Sequence, residues 1–369
     1  MMSSPRIAVI GAGGFIGSRI VESFHLRGWA AIRPVVRRAS ALARSSRFKL
    51  ESRIADACDK RALCAALSGC EYLIHAAGGD DATILEMVGP VFRAAQHAGV
   101  RRIVYLSSAS VHGQSPQPGT DENSRLRADQ PISYNNAKVR AERRFLYMRA
   151  KGNVEIVFLR PGIVYGPRSL WIGSFADELL TGRAFVVNGA RGICNSIYVD
   201  NLVHAIRLAL TADRVDGHAF LVGDQETVTW RDLYSPIVKA LGMEFEEIPS
   251  VNGSPSDSSG FERIIGMRDS KLGKALLRIL PARLRNAAYA GLSAWFEHQP
   301  DGSGVSRGLE VRRAAGLERT LLQTCSWKLS SQKAERMLGY SPQVSFQEGC
   351  RRCVEWLRFA GYPVVNRNE

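Results

Sequence analysis

Arg6-Ile-Ala-Val-Ile10 runs straight into Gly11-Ala-Gly-Gly14-Phe-Ile-Gly17, and the reading of this stretch decides the fold. The first five residues form a short apolar run of strand character. From Phe15 to Arg27 the apolar residues Ile16, Ile20 and Phe24 recur at helical spacing, and Gly28 supplies a helix stop. The glycines at 11, 14 and 17 therefore lie between a strand and a helix, where they meet separate needs. One permits a tight turn, one lets backbone approach a pyrophosphate, and one allows close helix–strand packing. The helix start offers free N–H groups and a positive dipole end to phosphates. Gly11, Gly14, Phe15, Ile16 and Gly17 are the candidate contacts to a dinucleotide.

The same alternation continues outward. Ala31 to Val36, Tyr72-Leu-Ile-His-Ala76 and Arg102-Ile-Val-Tyr-Leu106 read as strands, with a helix at Val88 to Ala98 ending on Gly99. Ile132 to Lys151 is helical, and Val154 to Leu159 is a strand stopped by Pro161-Gly162. Near-continuous apolar strands separated by helices predict a parallel sheet covered on both faces. The fold expected is α/β, a Rossmann-type doubly wound parallel sheet with a smaller, mostly C-terminal substrate lobe. Residues 1–165 form the dinucleotide-binding domain. Ile197-Tyr-Val and Ala219 to Val222 return to its sheet around a helix at Leu202 to Ala212, so that 196–225 belong to it. Residues 166–195 and 226–345 form the substrate lobe, with a helical insert at about 252–325, and 346–369 form a C-terminal helix and tail. Within the insert, Leu276 to Arg285 is basic and amphipathic but broken by Pro281. It reads as a lid or packing helix, with peripheral contact to a membrane surface or a partner as the alternative.

Composition narrows the function. The 369 residues include 49 Lys+Arg against 35 Asp+Glu, a formal net charge of +14, which attracts anionic ligands. The arginines occur as scattered pairs without aromatic interleaving, so no nucleic-acid partner is expected. No run of 18 apolar residues is free of charge, and Met1 to Pro5 carries no basic n-region, which predicts no transmembrane segment, no signal peptide and a cytoplasmic location. The 7 cysteines are expected as reduced thiols. Cys350-Arg-Arg-Cys353 is a lone CxxC in a helical pattern, and no second pair completes a metal site, so no metal is expected.

Two further features carry chemistry. Tyr134-Asn-Asn-Ala-Lys138 opens a helical segment, and a spacing of four puts both side chains on one face. An ammonium near a phenol favours the phenolate, and the positive charge of an oxidised nicotinamide acts the same way, so together they are expected to lower Tyr134 from its usual value of about 10. Tyr134 then exchanges a proton with a substrate hydroxyl or ketone, and Lys138 also holds the nicotinamide ribose. Tyr105-Leu-Ser-Ser-Ala-Ser-Val-His-Gly113 places Ser107, Ser108 and Ser110 at the carboxyl end of a strand, where open α/β sheets bind ligands and a hydroxyl can hold the reacting oxygen. After the second strand, Val35-Val36-Arg37-Arg38 lacks the acid of NAD-selective sites; no carboxylate occurs between Glu22 and Glu51. Arg37 or Arg38 can pair with a 2′-phosphate, which leans the reading to NADP over NAD.

These stretches, in this order, resemble the extended short-chain dehydrogenases/reductases, the NAD-dependent epimerase/dehydratase group. His75-Ala-Ala-Gly78, Leu159-Arg-Pro-Gly-Ile-Val-Tyr-Gly-Pro-Arg168, Ser196 to Ile206 and the tail Lys333 to Pro342 add to the likeness. The resemblance implies Ser108, Tyr134 and Lys138 as catalytic residues, Asp56 as the acid beside adenine, Ala76 and Ala77 as backbone beside the cofactor, and Pro161 beside the nicotinamide. It also implies a homodimer and a small-molecule substrate. His112 replaces a common tyrosine and reads as a wall residue. Glu86 and Pro90 depart from the family's Asn and Thr. Residues 252–325 resemble the helical insert of the hydroxysteroid-dehydrogenase branch.

The implied activity is hydride transfer at a secondary alcohol or ketone, in a nucleotide-sugar epimerase-like enzyme. Dehydration is disfavoured, because Ala109 and Ser110 stand where dehydratases carry an Asp-Glu pair. The alternatives are an NADPH-dependent reductase or dehydrogenase of an apolar, sterol-like or polycyclic ketone or alcohol, and a non-catalytic nucleotide-sensing protein.

Overall fold

The computed structural model describes residues 5–253 and 316–365. Its centre is a seven-stranded sheet. β1 (Arg6–Ile10), β2 (Ala31–Val36) and β3 (Arg53–Ile54) run to one side; β4 (Tyr72–His75), β5 (Arg102–Leu106), β6 (Glu155–Pro161) and β11 (Ala219–Val222) run to the other, in the order β11-β6-β5-β4-β1-β2-β3. All pairings are parallel.

Alternation along each strand fixes what covers the sheet, because successive side chains point to opposite faces. Ile7, Val9, Ile74, Val104 and Val157 face α1 (Phe15–Leu26) and α6 (Val199–Thr211), with Ile20, Phe24, Leu202 and Ile206 in the same core. Ala8, Leu73, Ile103, Tyr105 and Phe158 face α2 (Lys60–Leu67), α3 (Asp81–His97) and α4 (Ser133–Arg149), through Leu63, Phe92 and Phe145. Both faces are dry, which is why the strands read as continuous apolar runs.

Two buried arginines anchor this framework. Arg102 on β5 donates to the terminal carbonyls of α6, Ala209 O at 3.0 Å, Leu210 O at 2.9 Å and Ala212 O at 2.8 Å, and pairs with Glu155. The cation thus meets the negative end of the helix dipole and its unpaired carbonyls. Arg33 on β2 donates to Ser68 O at 2.6 Å and pairs with Glu51 at 2.9 Å.

Several expectations need correction. The helix read from Val88 begins at Asp81, because Asp80 caps it by accepting from the Thr83 amide, and Pro90 is carried inside it. The strand Glu155–Pro161 includes the proline expected to stop it. Ser196–Tyr198 (β10) does not join the main sheet: it pairs with β7 (Ile163–Tyr165), and only β11 extends the large sheet. Gly162 separates β6 from β7, and Ile163, whose N donates to Asn195 O, opens the pairing with β10.

Beyond this sheet, α5 (Leu170–Leu180), α7 (Trp230–Ala240) and a late helix, α10 (Phe346–Phe359), share a third core around Phe175, Trp230, Tyr234 and Leu357. Short ladders edge it: β8 (Val186–Val187) with β13 (Ser250–Val251), and β9 (Ile193–Cys194) with β12 (Val228–Thr229). The helices α8 (Leu317–Gln323) and α9 (Gln332–Leu338) precede α10, on which Cys350 and Cys353 are buried. Asn201 ties α6 to the segment before α10, donating to Val344 O and accepting from the amides of Gln343 and Val344. The expected helices at 276–285, and most of the insert, lie outside the described residues. Among the described residues, no helix is long and apolar enough to cross a membrane.

Candidate active site

The sheet order reverses between β1 and β4, and at such a switch point the loops leaving adjacent strands diverge and open a crevice. The glycine turn leaves β1 there, and Ala76 and Ala77 leave β4 beside it. Gly11 adopts φ +83°, and a Cβ on it would come within 2.6 Å of the Ala77 amide nitrogen. At Gly17 a Cβ would lie 2.1 Å from Gly11 O. Turn and packing therefore require these two glycines. Gly14 differs: its φ is −74°, and the nearest atom to an added Cβ is Gly11 O at 3.4 Å, so the protein itself has room for a methyl group. Gly14 is also the N-cap of α1, no side chain caps that helix, and its first turn holds no acid. The missing methyl leaves a cradle at an uncapped, positive helix end, which fits a phosphate group.

The remaining candidates line the same carboxyl edge. Arg37 and Arg38 follow β2 and are exposed. Asp56 follows β3, is exposed, and accepts from the Cys58 amide at 2.9 Å. Pro161 is buried at the end of β6.

The three serines after β5 separate cleanly. Ser107 is buried and donates to Glu142, so it is committed away from the cleft. Ser108 caps the turn Ala109–His112 by accepting from Ser110 N at 3.1 Å and lines a cavity of about 560 Å³. Ser110 lines it too, with a buried hydroxyl that has no hydrogen-bond partner. Tyr134 lines the same cavity and is 37% exposed. Phe15 and Ile16, at the start of α1, close its other side.

Lys138 sits one turn after Tyr134 and is buried, its Nζ 5.7 Å from the Tyr134 ring centre. The ammonium donates to Leu106 O at 2.9 Å and to Tyr105 Oη at 3.4 Å. Burial pulls Lys138 down to about 8, with Glu142 opposing. The expected lowering of Tyr134 is not found. Desolvation, and then the negative charge of Glu318, push the phenol up to about 12, while the Ser108 hydroxyl pulls the other way. The chain alone therefore holds Tyr134 protonated at neutral pH.

Behind this group lies a buried polar network. Arg160 and Glu142 form a two-pronged ion pair, at 3.0 and 2.7 Å, with side chains 5% and 3% exposed. Arg160 also meets His112 Nε2 at 3.1 Å, so that nitrogen accepts and carries no proton. Burial, and then the Arg160 cation, lower His112 to about 4. His112 is thus neutral and held by Arg160 behind the cleft; among the described residues it does not line the cavity, so the expected wall role is not what places it. Glu142 escaped the sequence reading, although its spacing of four from Lys138 puts it on the same helix face. Trp171, Trp230, Leu322 and Glu318 also line the cleft. Nothing local in the sequence marks them, because they come from separate segments.

The chain matches the NAD dependent epimerase/dehydratase family over residues 7–223, and it belongs to that family. Its members are oxidoreductases or isomerases that use a nicotinamide dinucleotide, and this chain is an NAD(P)-dependent enzyme of that kind. Similarity extends to the uncharacterized protein y4nL of Sinorhizobium fredii, 25% identical over 376 residues and covering 96% of each chain. A 4-hydroxy-2-methyl-3-oxo-4-farnesyl-3,4-dihydroquinoline-1-oxide ketoreductase of Stigmatella aurantiaca is 24% identical, again covering 96% of each. Among solved structures, the UDP-glucose 4-epimerase of Thermotoga maritima shares the fold with a TM-score of 0.66 at 19% identity, covering 96% of this chain and 99% of that one.

His75 provides a test of the buried wall behind Lys138. Neither ring nitrogen has a partner, Tyr105 and Phe145 pack edge-on against it, and burial lowers it from the ordinary 6.5 to about 3. A base held neutral contributes stability that is complete above 6.5 and is lost as pH falls toward 3, because the unfolded chain takes up the proton first. Asp224, raised to about 6 by burial, acts with the opposite sign, so the comparison must be made against a variant. Between pH 6 and 4, wild type should lose stability relative to His75→Leu at up to about 1.4 kcal/mol per pH unit. Urea denaturation at several pH values measures this; parallel pH dependences would contradict it.

Proposed function

We propose that this protein transfers hydride between a nicotinamide dinucleotide and a secondary alcohol or ketone carbon. The observation that carries this reading is one cleft lined by Ser108, Tyr134 and the first residues of α1, with Lys138 behind Tyr134. In this reading Gly11, Gly14, Phe15, Ile16 and Gly17 hold the pyrophosphate, Asp56 the adenine end, Ala76, Ala77 and Pro161 flank the dinucleotide, and Lys138 meets its ribose. The bound nicotinamide supplies the hydride acceptor or donor.

The residues' own work follows from their state. Ser108 holds the reacting oxygen by a hydrogen bond that strengthens as charge develops there. Tyr134, held protonated by its surroundings, donates its proton to a ketone oxygen; in the reverse direction a pyridinium charge bound beside it would lower it toward a base. In the epimerase-like version, a nucleotide sugar is oxidised and then reduced on its other face at this same pair. A second reading, reduction of an apolar ketone, is supported by the cleft's lining of Phe15, Ile163, Val164, Leu170, Trp171 and Trp230, and agrees with the name of the Stigmatella ketoreductase.

Exposed Arg37 and Arg38 support NADP over NAD as the cofactor. The proposal retains a domain boundary near residue 165, a cytoplasmic location and a homodimer through a helix pair. Exposed Leu146 and Tyr147 on α4 offer apolar surface for the last.

Tyr134→Phe should lower turnover by about 10²–10⁴-fold, the usual worth of a positioned acid–base, with nicotinamide affinity by calorimetry unchanged. Turnover equal to wild type would reject the assignment. Arg37→Ala with Arg38→Ala should weaken NADPH binding by about tenfold or more, ~1.4 kcal/mol, and leave NADH alone. A wild-type preference for NADH would overturn the cofactor assignment.

A further inference from the structure

A second cavity, about 650 Å³, adjoins the cleft that holds Ser108 and Tyr134. The two share Leu170, Trp171, Trp230, Glu318 and Leu322 as a common wall. The second chamber continues into the third core, where Phe175 and Tyr234 stack at 3.7 Å between ring centres.

Two of the three charges lining this chamber are spent on each other. Arg319 pairs with Glu178 at 2.8 Å and lies over the Phe185 ring at 4.3 Å. Glu318, at the common wall, accepts from Gln114 at 2.6 Å. Trp230 Nε1 donates to Leu322 O at 2.9 Å, so that indole presents only its apolar surface. Among the described residues, the single cation lining either cavity is Arg319, already neutralised by Glu178. The carboxylate of Glu318, standing near enough to Tyr134 to raise its pKa, opposes entry of a diphosphate.

We infer that the second chamber is a substrate subsite for an uncharged fused-ring or comparably bulky apolar body. The reacting carbonyl stays in the first chamber, and in that respect alone the inference rests on the hydride-transfer reading. Apolar walls with few placed polar groups are how sites of this volume hold such ligands. Ser174, exposed on α5, lines the second chamber and not the first, so a bulky side chain there fills the subsite and spares the reacting end.

Calorimetric titration of the full chain with bound NADP⁺ tests this, using dihydrotestosterone, the same tetracyclic ketone without its far hydroxyl, and UDP-glucose as probes. Expected are binding of both ketones, no binding of UDP-glucose, and for Ser174→Trp a loss of ketone affinity of about tenfold or more with NADP⁺ affinity retained. Equal ketone affinity in Ser174→Trp, or binding of UDP-glucose in place of the ketones, overturns the subsite. Should Ser174→Trp fail to fold, Ser174→Phe with the two ketones gives the same comparison. If the ketones bind in a manner that depends on residue 174 but no hydride passes to them when NADPH replaces NADP⁺, the subsite stands and the oxidoreductase reading falls.

Discussion

The architecture depends on one close approach, the backbone of Gly11 against the backbone of Ala76 and Ala77. No side chain fits between them: the methyl of an alanine at residue 11 would press into the Ala77 amide, and the φ of +83° is costly for any residue with a Cβ. Because the two loops touch there, β1 and β4 can be neighbours, and the chain can fill one half of the sheet with β2 and β3 and the other with β5, β6 and β11. The crevice above that junction is a product of topology. What fills it chemically comes from the next strand over, where β5 delivers Ser108, and from α4, which carries Tyr134 and Lys138.

Electrostatics in the crevice run against the simplest expectation. A lysine four residues from a tyrosine should make the phenol more acidic, but Lys138 is itself buried and turned to Leu106 O, while Glu318 stands in the cleft. Desolvation decides the balance, as it does wherever a phenol leaves water without a cation in direct contact. The protein alone thus presents a proton donor. A positive charge bound beside Tyr134 would move the balance, which couples proton transfer to the oxidised state of a nicotinamide.

Much of the dinucleotide half is legible in the sequence because its signals are local. Ile10 ends a strand, Gly11 turns, and Ile16, Ile20 and Phe24 recur at helical spacing, all within a single run of chain. The YxxxK pair and the serines after Leu106 are likewise short-range patterns. The parts that escaped reading are those assembled from distant segments. Arg33 and Arg102 look like surface charges until helix ends arrive to receive them. Ile197 reads as a sheet strand, yet its backbone pairs with Val164 in a separate ladder. Ser107 and Ser108 are indistinguishable by local pattern, where only the resemblance favours Ser108, and the physical reason arrives with Glu142 from α4, which commits Ser107. The cleft wall draws Trp171, Trp230 and Glu318 from three regions, and no periodicity joins them.

The central claim is that Tyr134 and Ser108 face a carbonyl to which a nicotinamide delivers hydride. The most direct measurement is a single-turnover reaction with reduced cofactor carrying deuterium on one face of its C4 and a polycyclic ketone, read by mass spectrometry and NMR of the alcohol. The account predicts one deuterium on the carbinol carbon, from one face only. Recovery of unlabelled ketone with the cofactor bound but unoxidised, across ketones and nucleotide sugars alike, would contradict it.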